Sequence, residues 1–288
     1  MGERINFGDL SEEYSREEDA RVVIIPVAYD GTSTWIKGAD KGPEAILEAS
    51  ANMELYDIET SSEVYLKGIF TDEGVDVNSS PEEMASAVRE RVVKYLDKDK
   101  FAVVIGGEHS VSIGAIEGHI EKYGNSITVL QLDAHLDLRE EYDGSKYNHA
   151  CVMARVKDKC GIVQVGIRSM DVEGKGVFDR EKVFFAHEIW DNNDWEKKVI
   201  SQLTEKVYIS IDLDFFDPSI MPSTGTPEPG GLGWYESLGF LKKVFTGREV
   251  VGFDVVELCP NASDKGPDFL AAKLIYKLLS YKFGGLDG

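Results

Sequence analysis

Cysteine is scarce in this chain of 288 residues, with thiols at Cys151, Cys160 and Cys259 alone. An odd number leaves at least one thiol unpaired in any disulfide scheme, and no two of them form a Cys-x-x-Cys pair. Disulfides persist in oxidising compartments, whereas free thiols are normal in reducing ones. We therefore expect a cytoplasmic protein with free cysteines, and the cysteine content excludes a small disulfide-stapled domain.

Basic residues are also few. The chain has 31 lysines and arginines against 52 aspartates and glutamates, a formal net charge of −21 at pH 7. Nucleic-acid binding requires clusters of cationic side chains that neutralise phosphates, so nucleic acid is not an expected partner. An acidic protein can attract a small cationic substrate or metal ions, although the same charge can equally serve only to keep the protein in solution.

Long hydrophobic runs are missing as well. The longest apolar stretches, such as 22–28, have the length of a strand, whereas a transmembrane helix needs about 20 apolar residues. We therefore expect no membrane partner. Apolar residues still make up 42% of the chain, which is enough for a sizeable core.

Strand-like and helix-like stretches alternate along the whole chain. Apolar, β-branched runs predict strands at 21–28, 64–70, 101–106, 127–133, 161–167, 182–186, 206–212 and 249–256. Helical patterns predict helices at 43–53, 81–97, 110–122, 149–157, 193–203, 234–245 and 266–282. Repeated β-α units indicate an α/β fold with a mainly parallel sheet, whose ligands bind beyond the carboxyl ends of the strands. In the absence of repeats or long linkers, we predict that residues 1–288 form a single domain.

Carboxylates and histidines cluster where three predicted strands end. The sequence Asp133-Ala-His135-Leu-Asp137 follows one strand, Asp212-Leu-Asp214 another, and Gly-Gly-Glu-His109 a third. Side chains at i, i+2 and i+4 of an extended segment point the same way, so we expect each set to converge on one point.

A metal site explains this clustering. Buried carboxylates at such density repel one another unless a cation lies among them. Mixed oxygen and nitrogen ligands suit Mn, Fe, Zn or Ni, with Mn favoured where oxygen predominates. Four aspartates exceed the needs of one ion, which predicts a site for two metals.

These segments, in this order, resemble the ureohydrolase family, which includes arginase and agmatinase. The segments Thr224-Gly-Thr-Pro-Glu-Pro-Gly-Gly231 and Asp254-Val-Val-Glu-Leu-Cys-Pro260 are also similar to the pattern of that family. The similarity runs from about Val22 to the end of the chain and departs at Glu108, where many relatives carry aspartate. The resemblance implies a three-layer α/β/α fold around an eight-stranded sheet, two Mn²⁺ ions per subunit, and a trimeric or hexameric homo-oligomer.

The resemblance also implies the metal ligands. One ion would be held by His109, Asp133, Asp137 and Asp212. The other would be held by Asp133, His135, Asp212 and Asp214. Asp133 and Asp212 would then contact both ions.

Further residues are implied for catalysis and substrate binding. Asp137 would orient the attacking hydroxide, Glu257 would pair with the guanidinium group of the substrate, and His149 would move protons near the leaving amine. Asn148 is either a substrate contact or a turn residue. Glu228 either favours a cationic substrate tail or is a solvated loop acid.

Agmatine is the substrate we expect, with putrescine and urea as products. The segment between Asp137 and His149 lacks the polar loop with which arginase-like proteins hold the amino-acid head of arginine, and it is similar to agmatinases.

Alternatives within the family are a guanidinobutyrase, an aminopropylagmatine ureohydrolase, an arginase and a formiminoglutamase. A two-metal phosphoesterase would need cationic groups to clamp phosphate, and the motif regions offer few. A metal-binding protein without activity is the remaining alternative.

Overall fold

The computed structural model describes residues 5–75 and 80–285. Their eight strands form one sheet in which all neighbouring strands are parallel. The strands are β1 (Val22–Val27), β2 (Ile69–Thr71), β3 (Phe101–Gly106), β4 (Ile127–Leu132), β5 (Gly161–Ile167), β6 (Val183–Phe185), β7 (Lys206–Asp212) and β8 (Glu249–Val256). Their order across the sheet is β2-β1-β3-β8-β7-β4-β5-β6. The predicted eight-stranded, parallel α/β fold is confirmed.

Helices cover both faces of the sheet. They are α1 (Glu12–Ser15), α2 (Gly42–Ser50), α3 (Pro81–Leu96), α4 (Val111–Tyr123), α5 (Val152–Val156), α6 (Ala186–Trp190), α7 (Trp195–Gln202), α8 (Trp234–Gly247) and α9 (Gly266–Phe283). Successive strand residues point to opposite faces, so Val22 and Ile24 join one core cluster while Val23 and Ile25 join another. The first cluster includes residues of α2, α7, α8 and α9, and the second includes residues of α3, α4 and α5.

Two predicted elements need correction, and two short helices, α1 and α6, were not predicted. The predicted strand 64–70 begins as the 3-10 turn Val64–Lys67, and pairing starts only at β2. The cause is Gly68, which has φ 74° and packs so closely on Ala20 that a Cβ would lie 2.7 Å from its Cα. The predicted helix 149–157 divides into the 3-10 turn His149–Cys151 and α5. Helix α6 was not predicted, and it begins without a side-chain cap that could have signalled it.

The carboxyl ends of β1 and β3 pack against each other through their loops. The Gly107 N–H donates to the Val27 carbonyl and the Glu108 N–H donates to the Tyr29 carbonyl, each at 2.8 Å. A Cβ on Gly107 would lie 1.9 Å from the Tyr29 oxygen, so only glycine fits there. This contact fixes the loop that carries His109 against the loop that follows β1. Among the described residues, no helix combines the length and apolar character needed to cross a membrane.

Candidate metal centre

The four residues predicted to hold one metal, a histidine and three aspartates, meet at the carboxyl edge of the sheet. The Nδ1 atom of His109 lies 3.1 Å from Asp133 Oδ2, 2.9 Å from Asp137 Oδ2 and 3.4 Å from Asp212 Oδ2. All four residues are buried. Parallel strands bring their carboxyl ends to the same edge, which is why segments distant in sequence converge.

The second predicted group lies directly beside the first. Nδ1 of His135 is 2.9 Å from Asp214 Oδ2 and 3.6 Å from Asp133 Oδ1. Asp133 therefore turns one oxygen to each histidine, as a bridging ligand would. Backbone N–H groups hold these carboxylates: His135 donates to Asp133 Oδ1 at 2.6 Å, and Ala134 donates to Asp214 Oδ1 at 3.0 Å.

Asp212 differs from Asp133 in its second contact. Its Oδ2 faces His109, whereas its Oδ1 accepts the backbone N–H of Asp214 at 2.9 Å. The contact of Asp212 with a second ion stays a prediction.

Loops, and not strand alternation, produce the convergence. Strand β4 ends at Leu132, and Asp137 turns back with φ 52°. The expectation that an extended segment aligns Asp133, His135 and Asp137 is therefore wrong in its geometry, although the three side chains do meet. A positive φ is strained for a non-glycine residue, and such strain is concentrated at functional sites. Glu257 shows the same feature, with φ 68°.

The hydrogen bonds behind His109 leave a lone pair facing the carboxylates. Ser210 Oγ donates its only proton to Asp254 Oδ1 at 2.9 Å. It can therefore only accept from His109 Nε2, which lies 3.1 Å away. Nδ1 of the neutral ring then carries a lone pair, and this buried atom has no hydrogen-bond partner among the described residues. A lone pair about 3 Å from three carboxylate oxygens repels them unless a cation lies between them, so the donor set fits a metal ion.

Titration behaviour leads to the same conclusion. Burial, followed by the charges of Asp214 and Asp133, raises the pKa of Asp212 well above its usual value. Burial and the charge of Asp133 likewise raise the pKa of Asp137. For Asp133, burial acts in the same direction but is outweighed by His109 and His135, which lower its pKa. These carboxylates cannot all be ionised together without added positive charge.

The cluster lies in a cleft of about 600 Å³. Predicted site residues His109, His135, Asp137, Asp212, His149 and Glu257 line it. Glu257 Oε1 accepts the backbone N–H of His109 at 2.7 Å, while Oε2 lies beside Gly225, where a Cβ would come within 3.4 Å. Burial and then the charge of Glu108 raise the pKa of Glu257, so a cation placed beside it would be favoured.

His149 and Asn148 have different surroundings. The His149 backbone N–H donates to Thr32 Oγ1 at 3.0 Å, and its ring Nδ1 lies 3.3 Å from the same oxygen. Burial lowers the pKa of His149 to about 4, so the ring is neutral at pH 7. Asn148 is buried, and its Oδ1 accepts the Ala150 N–H at 3.0 Å as the cap of the short 3-10 turn. Of the two alternatives for Asn148, the turn residue is the one with an observed contact.

Glu228 lies next to the second predicted metal-binding group, with its Oε1 4.0 Å from His135 Nε2. Arg168 fixes its loop by donating to the Glu228 carbonyl at 2.9 Å, and it also donates to the Asp214 carbonyl. Arg168 therefore binds backbone carbonyls on two loops of the site. Asp217 forms a turn, since its carboxylate accepts the N–H groups of Ser219, Gly230 and Gly231.

Sequence reasoning assigned no role to three residues that support the site. Thr32 contacts His149 from the loop after β1. Ser210 and Asp254 support His109 from behind. The inward alternation of Ser210 and Asp212 on β7 was a signal that could have identified Ser210.

The fold and the site define an α/β protein with paired His/Asp groups able to hold two metal ions in a cleft at the sheet edge. A sequence model described as the arginase family matches residues 20–280. The chain therefore belongs to the arginase family of dinuclear-metal amidinohydrolases. The resemblance inferred from the motifs is confirmed.

Named relatives cover almost the whole chain. An N(1)-aminopropylagmatine ureohydrolase of Synechocystis sp. is 40% identical over 94% of this chain and 92% of its own length. An agmatinase of Pyrococcus horikoshii is 32% identical over 91% of this chain and 92% of its own length. The crystal structure of agmatine ureohydrolase of Thermoplasma volcanium, 28% identical, superimposes with a TM-score of 0.87 over 98% of this chain and 95% of that one.

Proposed function

We propose that this protein hydrolyses the guanidino group of a cationic guanidinoalkylamine to urea and an amine, with N(1)-aminopropylagmatine preferred to agmatine. The observation that carries the proposal is the pair of His/Asp groups at the base of a cleft that Glu257 also lines. Agmatine, the substrate expected from the sequence, becomes the second candidate.

The metal-binding residues in this proposal are those predicted from the sequence, with Mn²⁺ as the ion. His109, Asp133, Asp137 and Asp212 form one group, and His135 and Asp214 complete the other around Asp133 and Asp212. Two divalent ions held together supply a strong nucleophile at neutral pH because they lower the pKa of water. Asp137 contributes a carboxylate oxygen that can accept a hydrogen bond from the attacking group and orient it.

Glu257 positions the electrophile. Guanidinium is a poor electrophile because its charge is delocalised, so the orientation of its carbon matters as much as its binding. A carboxylate pairs with guanidinium through two parallel hydrogen bonds, which fix both position and direction. The His109 N–H already holds Oε1, so Glu257 meets the substrate in a defined orientation.

His149 moves the proton. The leaving amine must be protonated as the C–N bond breaks, and a neutral imidazole can take a proton from one group and deliver it to another. The lowered pKa of His149 keeps the ring neutral at pH 7 and therefore able to accept. Its position on the wall of the cleft places it beside the metal groups without a contact to them.

Acidic side chains at the outer wall support the choice of a long cationic tail. Glu141 and Glu173 line the cleft and are exposed, and neither forms an ion pair within the described part of the chain. Agmatine has one amine in its tail, whereas the aminopropyl extension adds a second. Relatives named for this longer substrate are 40%, 39% and 38% identical to this chain.

The test is urea release from a panel of guanidino compounds by Mn²⁺-loaded protein. We expect kcat/KM for N(1)-aminopropylagmatine to exceed that for agmatine by about tenfold, and that for arginine by at least about 10²-fold. The reason is that Arg139, the cationic side chain of the cleft wall, is already paired with Asp171 at 2.8 Å, which leaves the carboxylate of arginine facing acidic side chains. Glu257→Gln should lose several kcal/mol of transition-state stabilisation, on the order of 3 kcal/mol, because a buried charge-assisted pair is broken.

Two controls make the assay decisive. Glu188→Gln removes an exposed acid that does not line the cleft, and it should leave kinetics unchanged. A phosphate monoester should not be hydrolysed. A higher kcat/KM for agmatine would overturn the proposed preference for N(1)-aminopropylagmatine. If no compound released urea, the proposed hydrolysis of guanidino groups would be overturned.

A further inference from the structure

The loop that follows β1 carries a hydroxyl that touches the proposed proton carrier. Thr32 Oγ1 lies 3.3 Å from His149 Nδ1 and accepts the His149 N–H at 3.0 Å, although the two residues are 117 positions apart in the sequence. Thr32 is half-buried, and the same hydroxyl also contacts Glu108 Oε2 at 2.8 Å. These hydrogen bonds hold Thr32 beside His149.

The direction of the hydrogen bonds follows from the number of protons available. Thr32 donates its single hydroxyl proton to Glu108 Oε2 at 2.8 Å. Glu108 also accepts from the hydroxyl of Ser110 at 2.6 Å and from its N–H at 3.2 Å, so every contact found to Glu108 is a donation to it. With its proton committed, Thr32 can only accept from the ring of His149. Nδ1 must then carry the proton in this contact.

We propose that Thr32 is a positioning residue for His149: held by Glu108, its hydroxyl fixes the ring as the tautomer protonated on Nδ1. The tautomer of a histidine is set by the hydrogen bond that one ring nitrogen makes, and the other nitrogen is then committed to the opposite role. Nε2 of the neutral ring therefore keeps its lone pair and is the nitrogen that takes up and releases the proton in the cleft. This inference rests on the proposed function, because it assigns proton transfer to His149.

Removing the hydroxyl while preserving shape gives the first test. Thr32→Val should lower kcat by about 10- to 10²-fold, a part of the roughly 10²–10⁴-fold that a general acid–base group contributes. KM should change less than about threefold, and Thr32→Ser should restore kcat to within about threefold of the native value. Both variants should bind the same amount of metal as the native protein.

Two comparisons separate a role through His149 from a general weakening of the loop. Ser33→Ala removes a buried hydroxyl from the same loop that has no hydrogen-bond partner in the described residues, and it should leave kcat unchanged. In a His149→Ala background, Thr32→Val should cause no further loss, since two residues that act as a unit are not additive. Equal losses in Thr32→Val and Ser33→Ala, or a full additional loss in the double variant, would overturn the proposal.

The tautomer itself can be observed without turnover. The chain has five histidines, so ¹⁵N-histidine NMR of protein loaded with diamagnetic Zn²⁺ gives a small set of ring signals, and His149→Ala identifies the one from His149. We expect the proton on Nδ1 in the native protein and a shift of the proton towards Nε2 in Thr32→Val. A native ring protonated on Nε2, or one unaffected by Thr32→Val, would refute the role of Thr32. If the native protein released no urea from any guanidino compound, the proposed function would fail, whereas the NMR result would still decide the role of Thr32.

Discussion

Removal of the Ser210 hydroxyl should weaken one metal site and spare the other. In Ser210→Ala, the Nε2–H of His109 loses its acceptor, which lies 3.1 Å away in the native protein. The ring is buried, so it gains by moving the proton to Nδ1, close to the carboxylate oxygens at 2.9 and 3.1 Å. Protonation at Nδ1 removes the lone pair that would bind the metal.

Two free energies give the expected loss of metal affinity in Ser210→Ala. Leaving a buried donor without a partner costs about 1–3 kcal/mol. Loss of a hydrogen bond that orients a metal-binding histidine typically reduces affinity about 10- to 100-fold, equivalent to about 1.4–2.7 kcal/mol at about 1.36 kcal/mol per factor of ten. The two ranges agree, so we expect a 10- to 100-fold weaker Mn²⁺ site at His109. The site at His135 does not use Ser210 and should keep its affinity.

Isothermal titration of metal-stripped protein with Mn²⁺ measures both sites. The native protein should bind two ions, and Ser210→Ala should show one native and one weakened step. Tyr208→Phe is the matched control, because it removes another hydroxyl that donates to Asp254, at 2.7 Å, without touching His109. The reasoning is refuted if Ser210→Ala retains both affinities, or if Tyr208→Phe weakens the same step equally.

Other substitutions have equally defined outcomes. Asp133→Asn should abolish urea release and lower bound metal at both sites, as measured by elemental analysis per chain, because Asp133 faces both histidines. Lys277→Met should lower the free energy of unfolding by about 3–5 kcal/mol in urea titrations, because it leaves the buried Asp57 carboxylate, 3.0 Å away, without its cation. Glu59→Gln should reduce stability at pH 7 but make little difference at or below pH 2. Burial opposes ionisation of Glu59, but Lys277 and its other partners lower its pKa to about 2. The stabilisation is therefore complete above the unfolded pKa of about 4.3 and is lost as the pH falls towards 2.

Local signals in the sequence predicted most of the fold. The start of α3 is a clear case: a helix was predicted from residue 81, and the structure begins it there, with a reciprocal capping box between Ser80 and Glu83 and Pro81 in the first turn. Apolar runs predicted the central strands because both faces of a parallel sheet are buried. Prediction failed where tertiary contact decides the backbone, as at Gly68, whose positive φ follows from its packing against Ala20.

The candidate site could be predicted where its residues follow directly after strands. His109, Asp133 and Asp212 each follow an apolar strand, and parallel strands bring such ends together. Thr32 carried no such signal, because its contact with His149 depends on how two loops pack. The support that Asp254 gives to His109 was not predicted, since it depends on the register of β8 against β7, which places Asp254 beside Ser210. Strand neighbours cannot be read from the order of strands along the chain.

Charge balance connects the metal centre with the choice of substrate. Asp133, Asp137, Asp212 and Asp214 would carry four negative charges, which two divalent cations neutralise. Glu257 then remains as an uncompensated acid, and it matches the single charge of a guanidinium group. Glu141 and Glu173 extend the acidic surface outwards along the cleft, where the amines of a polyamine-like tail would lie. A substrate with a carboxylate at that end would bring a like charge into the same region, so we expect the proposed enzyme to favour guanidino compounds whose tails are positively charged.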